Sequence, residues 1–396
     1  MVLSSLLTAR AQIDPFKREL IQMGYSQPLQ GQGPISAYAY YYLNQPDFLR
    51  TNVTLRLAVA PVYLDSEVGF GKALGRETDF AAGITGGGFG DTYSEVRGGK
   101  YYKEESFTGH GGGASASIYH RFNPLQEIPL TGILRSDVHY STYSRDGDTA
   151  EGFVLPEDRA SLNVRTGFRW GGREPLLLPV LAMEVSGWYE GQFRGQSGTY
   201  GYANDREVKP NSHLFWTRGL LTYTTPEWKH NFGVSLTLGT SVNSDRFSAY
   251  RLGDILPLAS EFPLALPGYY YQEISARRFV LFGGNYSIPL DSRQCWAVNL
   301  LAATAGVQYT TGLEQPGRWH SSLGGGLTYR SPSDAWQLAL GYAYGVDAIR
   351  NHGRGASSLG LLLQFNLERA NVAFFGHGAN PSWSRGLQHI FRSGNF

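Results

Sequence analysis

The sequence predicts an all-β fold, a transmembrane antiparallel β-barrel of about sixteen strands, with fourteen as the alternative count. Three observations predict it. Apolar residues alternate with small or polar ones at a period of two across most of the 396 residues, the mark of strands with two unlike faces. The alternating runs are about ten residues or longer, which suits a tilted bilayer crossing, whereas strands of soluble proteins average about five or six. Connections between runs are alternately short and long, the layout of an outer-membrane barrel with tight turns on the periplasmic side and loops on the other.

Composition agrees and excludes other classes. The chain has 50 glycines and 25 tyrosines, with only 17% charged residues. A net charge of +1 gives no basic field for nucleic acid. The single cysteine, Cys295, rules out an intramolecular disulfide and any zinc-ligand spacing. There is no run of about twenty apolar residues, so a helical membrane protein is disfavoured.

Taken from the N-terminus, residues 1–33 read as a leader or signal remnant followed by a short helix. The stretch MVLSSLLTARAQ carries a short apolar run and an Ala-Arg-Ala triplet that would precede a cleavage site. In DPFKRELIQM, residues 14–23, Asp14 is placed as N-cap and Pro15 as the first helical residue.

Residues 34–367 form the predicted barrel. In 231–242, Phe232, Val234, Leu236 and Leu238 share one face, opposite Gly233, Ser235, Thr237 and Gly239. The same division recurs in 336–346 and in 52–61, where Val53, Leu55, Leu57 and Val59 oppose Thr54, Arg56 and Ala58. Aromatic residues such as Tyr40, Tyr42, Trp170, Tyr189, Trp216, Trp228 and Trp336 gather near strand ends, as an interfacial girdle requires. Counting back from the last run reaches 35–44 as the fifteenth strand. A chain that enters and leaves at the turn end needs an even number, which places one missed strand before residue 34 or around 62–74. Closure is obligatory in lipid, where an open sheet edge leaves backbone groups unsatisfied. Residues 368–396 no longer alternate and form a C-terminal tail. Just before them, Leu359, Leu361, Leu363, Phe365 and Leu367 fall on one face and look like the C-terminal signal strand of outer-membrane barrels.

Within this pattern one stretch stands apart, LPGYYYQEISARRFVLFGGNYSIPL at 266–290, a decorated loop followed directly by a plain strand. With ATAGVQY (303–309) and GGGLTYRSPSDAWQLALGYAYG (324–345), it makes residues 250–367 resemble the barrel of the bacterial surface antigen superfamily. That family includes BamA-type and TamA-type assembly factors and two-partner secretion transporters. The resemblance implies a loop at 244–275 folded into the barrel, with Pro267, Gly268, Tyr269 and Tyr270 at its tip. Pro267 stands where the family has arginine, and Thr304 where it has the facing aspartate. In place of that pair, Glu273 with Arg277 or Arg278 is expected to anchor the loop.

The resemblance implies a Gram-negative outer-membrane protein that inserts or translocates polypeptide, through a weakly paired seam between first and last strands. Its expected partners are outer-membrane lipid and unfolded polypeptide clients or a separate periplasmic protein, with no nucleic acid and no cofactor. Strands that begin near residue 35 leave no room for the periplasmic domains that usually precede such barrels. The alternatives are a passive, porin-like channel for small solutes and a structural partner of a separate periplasmic chain.

The inward positions Arg56, Arg135, Asp137, His139, Arg165, Arg169, Glu184, Glu190 and Arg218 are expected to line the lumen, as hydrogen-bonded filling rather than a selectivity set. No catalytic site is expected. The only close His–carboxylate spacing is Asp137 and His139, which lacks a placed nucleophile. GGGFG and GHGGGASAS are followed by no helix and no Lys-Ser/Thr pair, which excludes a phosphate loop.

Overall fold

The computed structural model describes residues 17–34, 36–60, 63–87, 93–126, 128–171, 183–253, 264–351 and 353–369. Sixteen antiparallel strands close into a ring. They are β1 (Arg18–Pro28), β2 (Ser36–Gln45), β3 (Val53–Ala60), β4 (Tyr63–Gly75), β5 (Thr78–Gly87), β6 (Lys100–Arg121), β7 (Leu130–Arg145) and β8 (Arg159–Gly171). The second half comprises β9 (Met183–Phe193), β10 (Asn211–Thr224), β11 (Asn231–Val242), β12 (Ile274–Pro289), β13 (Trp296–Tyr309), β14 (Trp319–Arg330), β15 (Trp336–Arg350) and β16 (Gly353–Asn366). Among the described residues, two extra strands of this sheet, Tyr93–Arg97 against β6 and Tyr250–Leu252 against β12, lie outside the ring, as does a separate hairpin of Gly198–Tyr200 with Arg206–Val208.

The expected count of sixteen holds, and the missing strand is β1. Residues 18–23, expected to be helical, are strand instead, so the barrel begins within the segment assigned to a leader. Paired on both sides, to β2 and to β16, these residues satisfy every ladder position that a helix would leave open on its neighbours. The expected leader residues 1–12 and the tail from 370 onward lie outside the described residues; Leu367 sits in a helical turn just past β16 rather than in the strand. The seam is not weakly paired. It runs from Leu20 opposite Asn366 to Pro28 opposite Ser358, as long as the β1–β2 ladder from Arg18 to Ser26. A chain beginning at residue 29 is therefore expected to give no folded, heat-modifiable band in a detergent gel, whereas the full chain gives one.

The period-two pattern sorts the side chains as the sequence implies. On β11, Phe232, Val234, Leu236 and Leu238 are 39–46% exposed on the outer face, while Gly233, Ser235 and Thr237 face inward. Leu340, Tyr342 and Tyr344 on β15, and Leu359 and Leu361 on β16, continue the outer apolar belt. So large a contiguous apolar surface is unfavourable in water and is what hydrocarbon requires. Trp170, Trp228, Trp296 and Trp319 are exposed, as an aromatic girdle needs. Trp216 is not part of it, because its indole turns inward to donate to Glu190. Tyr40 and Tyr42 likewise face the lumen, packed with Leu20 and Ala58.

Turns at one end are held by local bonds. At 291–295, Asp291 accepts the N–H groups of Trp296 at 2.7 Å and Arg293 at 3.2 Å, which hold its carboxyl below the usual carboxylate range. The loop end is built up instead of trimmed, and the candidate site lies there.

Candidate functional site

The predicted in-folded loop is present. Its base closes where Gly253 N–H donates to Leu264 O at 3.2 Å and Leu266 N–H to Gly253 O at 3.3 Å; residues 254–263 lie outside the described residues. From that base Leu266, Tyr269 and Ile274 pack with the inward side chains Leu214, Phe279, Leu281, Ala305 and Val307. The tip therefore sits inside the mouth of the barrel, with Pro267 buried in it. Gly268 has φ +84°, and a Cβ there would lie 2.1 Å from the amide nitrogen of Gly345. Only glycine lets this turn lie directly on β15.

Tyr269 and Tyr270 are each 2% exposed, so they anchor the tip rather than present a recognition patch. The Tyr269 hydroxyl is 3.3 Å from His320 Nδ1, and Tyr309 Oη is 2.5 Å from His320 Nε2 and donates to Gly317 O at 2.8 Å. One assignment satisfies all three bonds: Tyr269 donates to Nδ1, and Nε2–H donates to Tyr309. Tyr270 Oη donates to Gln30 O at 3.1 Å.

Glu273 is the loop's charged anchor, but its partner is neither Arg277 nor Arg278. Arg350, at the end of β15, forks onto it, with Nη1 to Oε1 at 2.9 Å and Nη2 to Oε2 at 3.1 Å. The same guanidinium lies 3.6 Å from the centre of the Tyr270 ring, and Tyr270 N–H donates to Glu273 Oε2 at 2.7 Å. Burial nevertheless outweighs these partners and raises the Glu273 carboxyl above its ordinary value. Burial also pushes up the hydroxyls of Tyr269 and Tyr270.

Arg277 is the extra residue of a bulge in β12, and its Nε donates to Tyr309 O at 3.0 Å, satisfying an acceptor the irregular ladder leaves free. Arg278 points outward and is exposed. Thr304 pairs across from the outward Phe282 and meets Ser321 Oγ at 3.3 Å, so it cannot touch the loop. The inward positions beside it are Ala303 and Ala305.

A lid that the sequence did not reveal lies over the tip. The hairpin of Tyr93–Arg97 and the start of β6 crosses the mouth, and its turn reaches the far wall, where a Cβ on Gly99 would lie 1.7 Å from Ile349 O. Against it pack Phe153, Tyr200, Val208 and Phe247 from three other loops, around Tyr93 and Phe107. Beside this aromatic core lies a buried ion cluster. Arg246 Nη1 donates to Glu95 Oε1 at 2.5 Å and Arg97 Nη2 to Glu105 Oε1 at 2.6 Å. Arg206 bonds both carboxylates and lies over the Phe153 ring. Asp245 ties two of these loops by accepting from Arg194 Nη1 and Lys209 N–H, both at 2.8 Å.

Below the lid the inward-facing charged residues meet one another and their neighbours. Arg135 bonds Asp65 at 2.5 and 3.1 Å, and Arg56 Nε bonds Glu67 at 3.1 Å. Asp137 accepts from Thr85 Oγ1 and Asn163 Nδ2. Arg165 pairs with Glu190 at 3.3 Å and Arg218 with Glu184 at 3.2 Å. His139 occupies the space a Cβ on Gly111 would take, and Arg169 stands in line with Thr131 and Ser186. Asp65 and Glu67, absent from the expected set, supply the countercharges. Arg56, Arg135, Arg165 and Arg218 thus each have an opposite charge within reach, which stiffens the wall.

No protein-family model matches the sequence, and no curated protein matches it. Solved structures match the fold. CdiB from Acinetobacter baumannii aligns with a TM-score of 0.53 and 11% identity over 88% of this chain and 60% of that one. BamA from Haemophilus ducreyi, solved without POTRA domains 1–3, aligns with a TM-score of 0.54 and 11% identity over 87% of this chain and 70% of that one. The barrel has the fold of CdiB and BamA. That agrees with the family resemblance carried by residues 250–367. The likeness at such identity concerns the fold alone, and the chain spans 60% of the length of the CdiB chain.

Proposed function

We propose that this barrel handles polypeptide in the outer membrane of a Gram-negative bacterium, inserting other barrels or translocating unfolded chain. The observation that carries the reading is the mouth, crossed by a packed lid with the buried tip of the 243–273 loop seated beneath it. A passive solute channel needs a continuous aqueous path, and a folded lid with its own aromatic and ionic core works against one. A wall faced with lipid and a mouth sealed by structure suit a device that opens only when engaged. Its partners are lipid and an unfolded chain, or a separate periplasmic protein that delivers one. Its chemistry is conformational, with no bond made or broken.

Two measurements on the purified full chain test this. In planar bilayers the intact protein is expected to conduct little, and deletion of 262–273 to raise conductance. In vesicles, it is expected to speed the folding of a urea-denatured small barrel about tenfold or more over protein-free vesicles. A large, steady conductance unchanged by the deletion, with no effect on folding, makes the protein a solute channel instead.

A further inference from the structure

We infer that the outer face of β12–β14, at the loop end, binds the phosphorylated headgroup of an outer-leaflet glycolipid, with Arg277 and Arg278 as its phosphate ligands and a furrow along β13 for an acyl chain. The inference goes beyond polypeptide handling and takes from that reading only the membrane setting.

A backbone irregularity makes the basic pair. Ala276 and Phe279 are 0% and 6% exposed and both pack inward beside the loop tip. Strict alternation leaves one outward residue between two inward ones. Here there are two, because the ladder slips: Ala276 faces Tyr309 while Arg278 already faces Gln308. Arg277 and Arg278 stand side by side on the outside of the wall. Arg277 donates Nε to Tyr309 O at 3.0 Å, which leaves its terminal N–H groups for an outside acceptor. Among the described residues no carboxylate pairs with either guanidinium, whereas Arg56, Arg135, Arg165 and Arg218 inside the lumen are all paired. Adjacent cations repel one another and gain from an anion shared between them.

An aromatic ring and a furrow lie just beneath this pair. Trp319, 62% exposed, faces Gly306, which in turn faces Val280. A Cβ on Gly306 would lie 3.1 Å from Trp319 Cη2 and 3.1 Å from Val280 Cγ1, so the indole lies across the bare glycine toward β12. That row is two residues, about 7 Å, from the row of Arg278 and Gln308. Tryptophan marks the boundary between hydrocarbon and headgroups, which sets the two guanidinium groups among the headgroups. Toward the turn end the next outward residues of β13 are Thr304 and Ala302, flanked by Phe282 on β12 and Leu323 on β14. Phe282 is 49% and Leu323 58% exposed. From Gly306 to Ala302 the wall is a floor of small side chains about 14 Å long between bulky apolar ones.

The chemistry selects the ligand. Guanidinium forks match phosphate oxygens, the furrow takes a saturated chain, and the indole covers the join. A phosphorylated glycolipid joins phosphate to acyl chains in this order, and it forms the leaflet that the loop end of such a barrel meets. Free phosphate would satisfy the arginines and leave the furrow unused.

Native mass spectrometry of the full chain released from detergent tests the site, with diphosphoryl lipid A, its dephosphorylated form, phosphatidylglycerol and inorganic phosphate as probes. The native chain is expected to bind diphosphoryl lipid A about tenfold or more tightly than the dephosphorylated form or phosphatidylglycerol. Arg278→Gln removes an exposed side chain that holds nothing else in place, and is expected to weaken that binding about tenfold. Arg278→Lys keeps the charge without the fork and is expected to lose less. Thr304→Phe fills the furrow with no change of charge and is expected to weaken binding about threefold or more.

Phosphatidylglycerol bound as tightly as diphosphoryl lipid A, or Arg278→Gln binding it at native affinity, overturns the site in favour of an unselective cationic rim. Equal competition by inorganic phosphate, with Thr304→Phe at native affinity, overturns it in favour of a free-phosphate site. Client folding does not enter this readout, so its failure leaves the proposed function standing.

Discussion

Replacing Arg350 with alanine is expected to unseat the loop tip, at a cost of about 3–5 kcal/mol, the range for removing one partner of a buried ion pair. Glu273 is fully buried and would be left with one N–H donor, that of Tyr270, and no countercharge. Glu273→Gln is expected to cost much less. The neutral amide keeps the shape and an acceptor, and the carboxyl already sits above its ordinary value because burial opposes its charge. The raised value fixes the sign of the pH dependence. A group whose folded pKa exceeds its unfolded one contributes stability that is fully present below the unfolded value and lost as pH rises through the folded one. Acidification below the ordinary glutamate range is therefore expected to tighten the tip in the native chain, and Glu273→Gln to abolish that response. Exchange at 264–273 across a pH series in both proteins measures it. Equal pH responses would place the titrating group elsewhere.

The wall of the barrel was legible in the sequence because a strand in lipid must be apolar on one face, and that demand is written at every second residue. Where both faces are mixed the signal fades. In β1 the inward Leu20 sits among Gln22 and Gly24 and directly beside the outward Ile21, which blurs the alternation that Ile21, Met23 and Tyr25 would otherwise show, and an apparent Asp-Pro helix start sits just before them. Only the parity of the strands pointed to the omission. The tip was legible from its Pro-Gly pair and tyrosines, but its partner was not, since Arg350 lies 77 positions from Glu273 and nothing local marks it. Thr304 shows the opposite failure: a position matched by motif faces lipid, because one residue of phase turns a side chain through the wall. The lid was illegible for the same reason as Arg350. Arg206 meets Glu95 and Glu105 across 111 and 101 positions, and loop pairings carry no period.

That lid supplies the second large effect. Arg206 is 3% exposed, bonds both Glu95 and Glu105, and lies over an aromatic ring, so Arg206→Ala removes a charge, a fork and a stacking surface together. Arg246 and Arg97 remain beside the carboxylates, which limits the expected loss to about 3 kcal/mol, the lower end for a broken buried pair. Arg206→Lys keeps the charge without the planar fork and is expected to fall between the two. None of these side chains belongs to the membrane-spanning part of the wall, so the folded barrel in a detergent gel is expected to persist. What changes is the mouth: protease cleavage within 93–107 appears, and brief conducting events appear in planar bilayers that the native protein lacks. The neighbouring Tyr93, whose hydroxyl donates to Glu95, is pushed up to about 12 by burial and then by that carboxylate. Its contribution is fully present below about 10 and lost as pH rises through about 12, so alkali alone is expected to open the native lid. Conducting events of the native protein should therefore rise only in that alkaline window. Their appearance near neutrality, or an Arg206→Ala protein as silent and protease-resistant as the native one, would mean that the ion cluster does not hold the mouth shut.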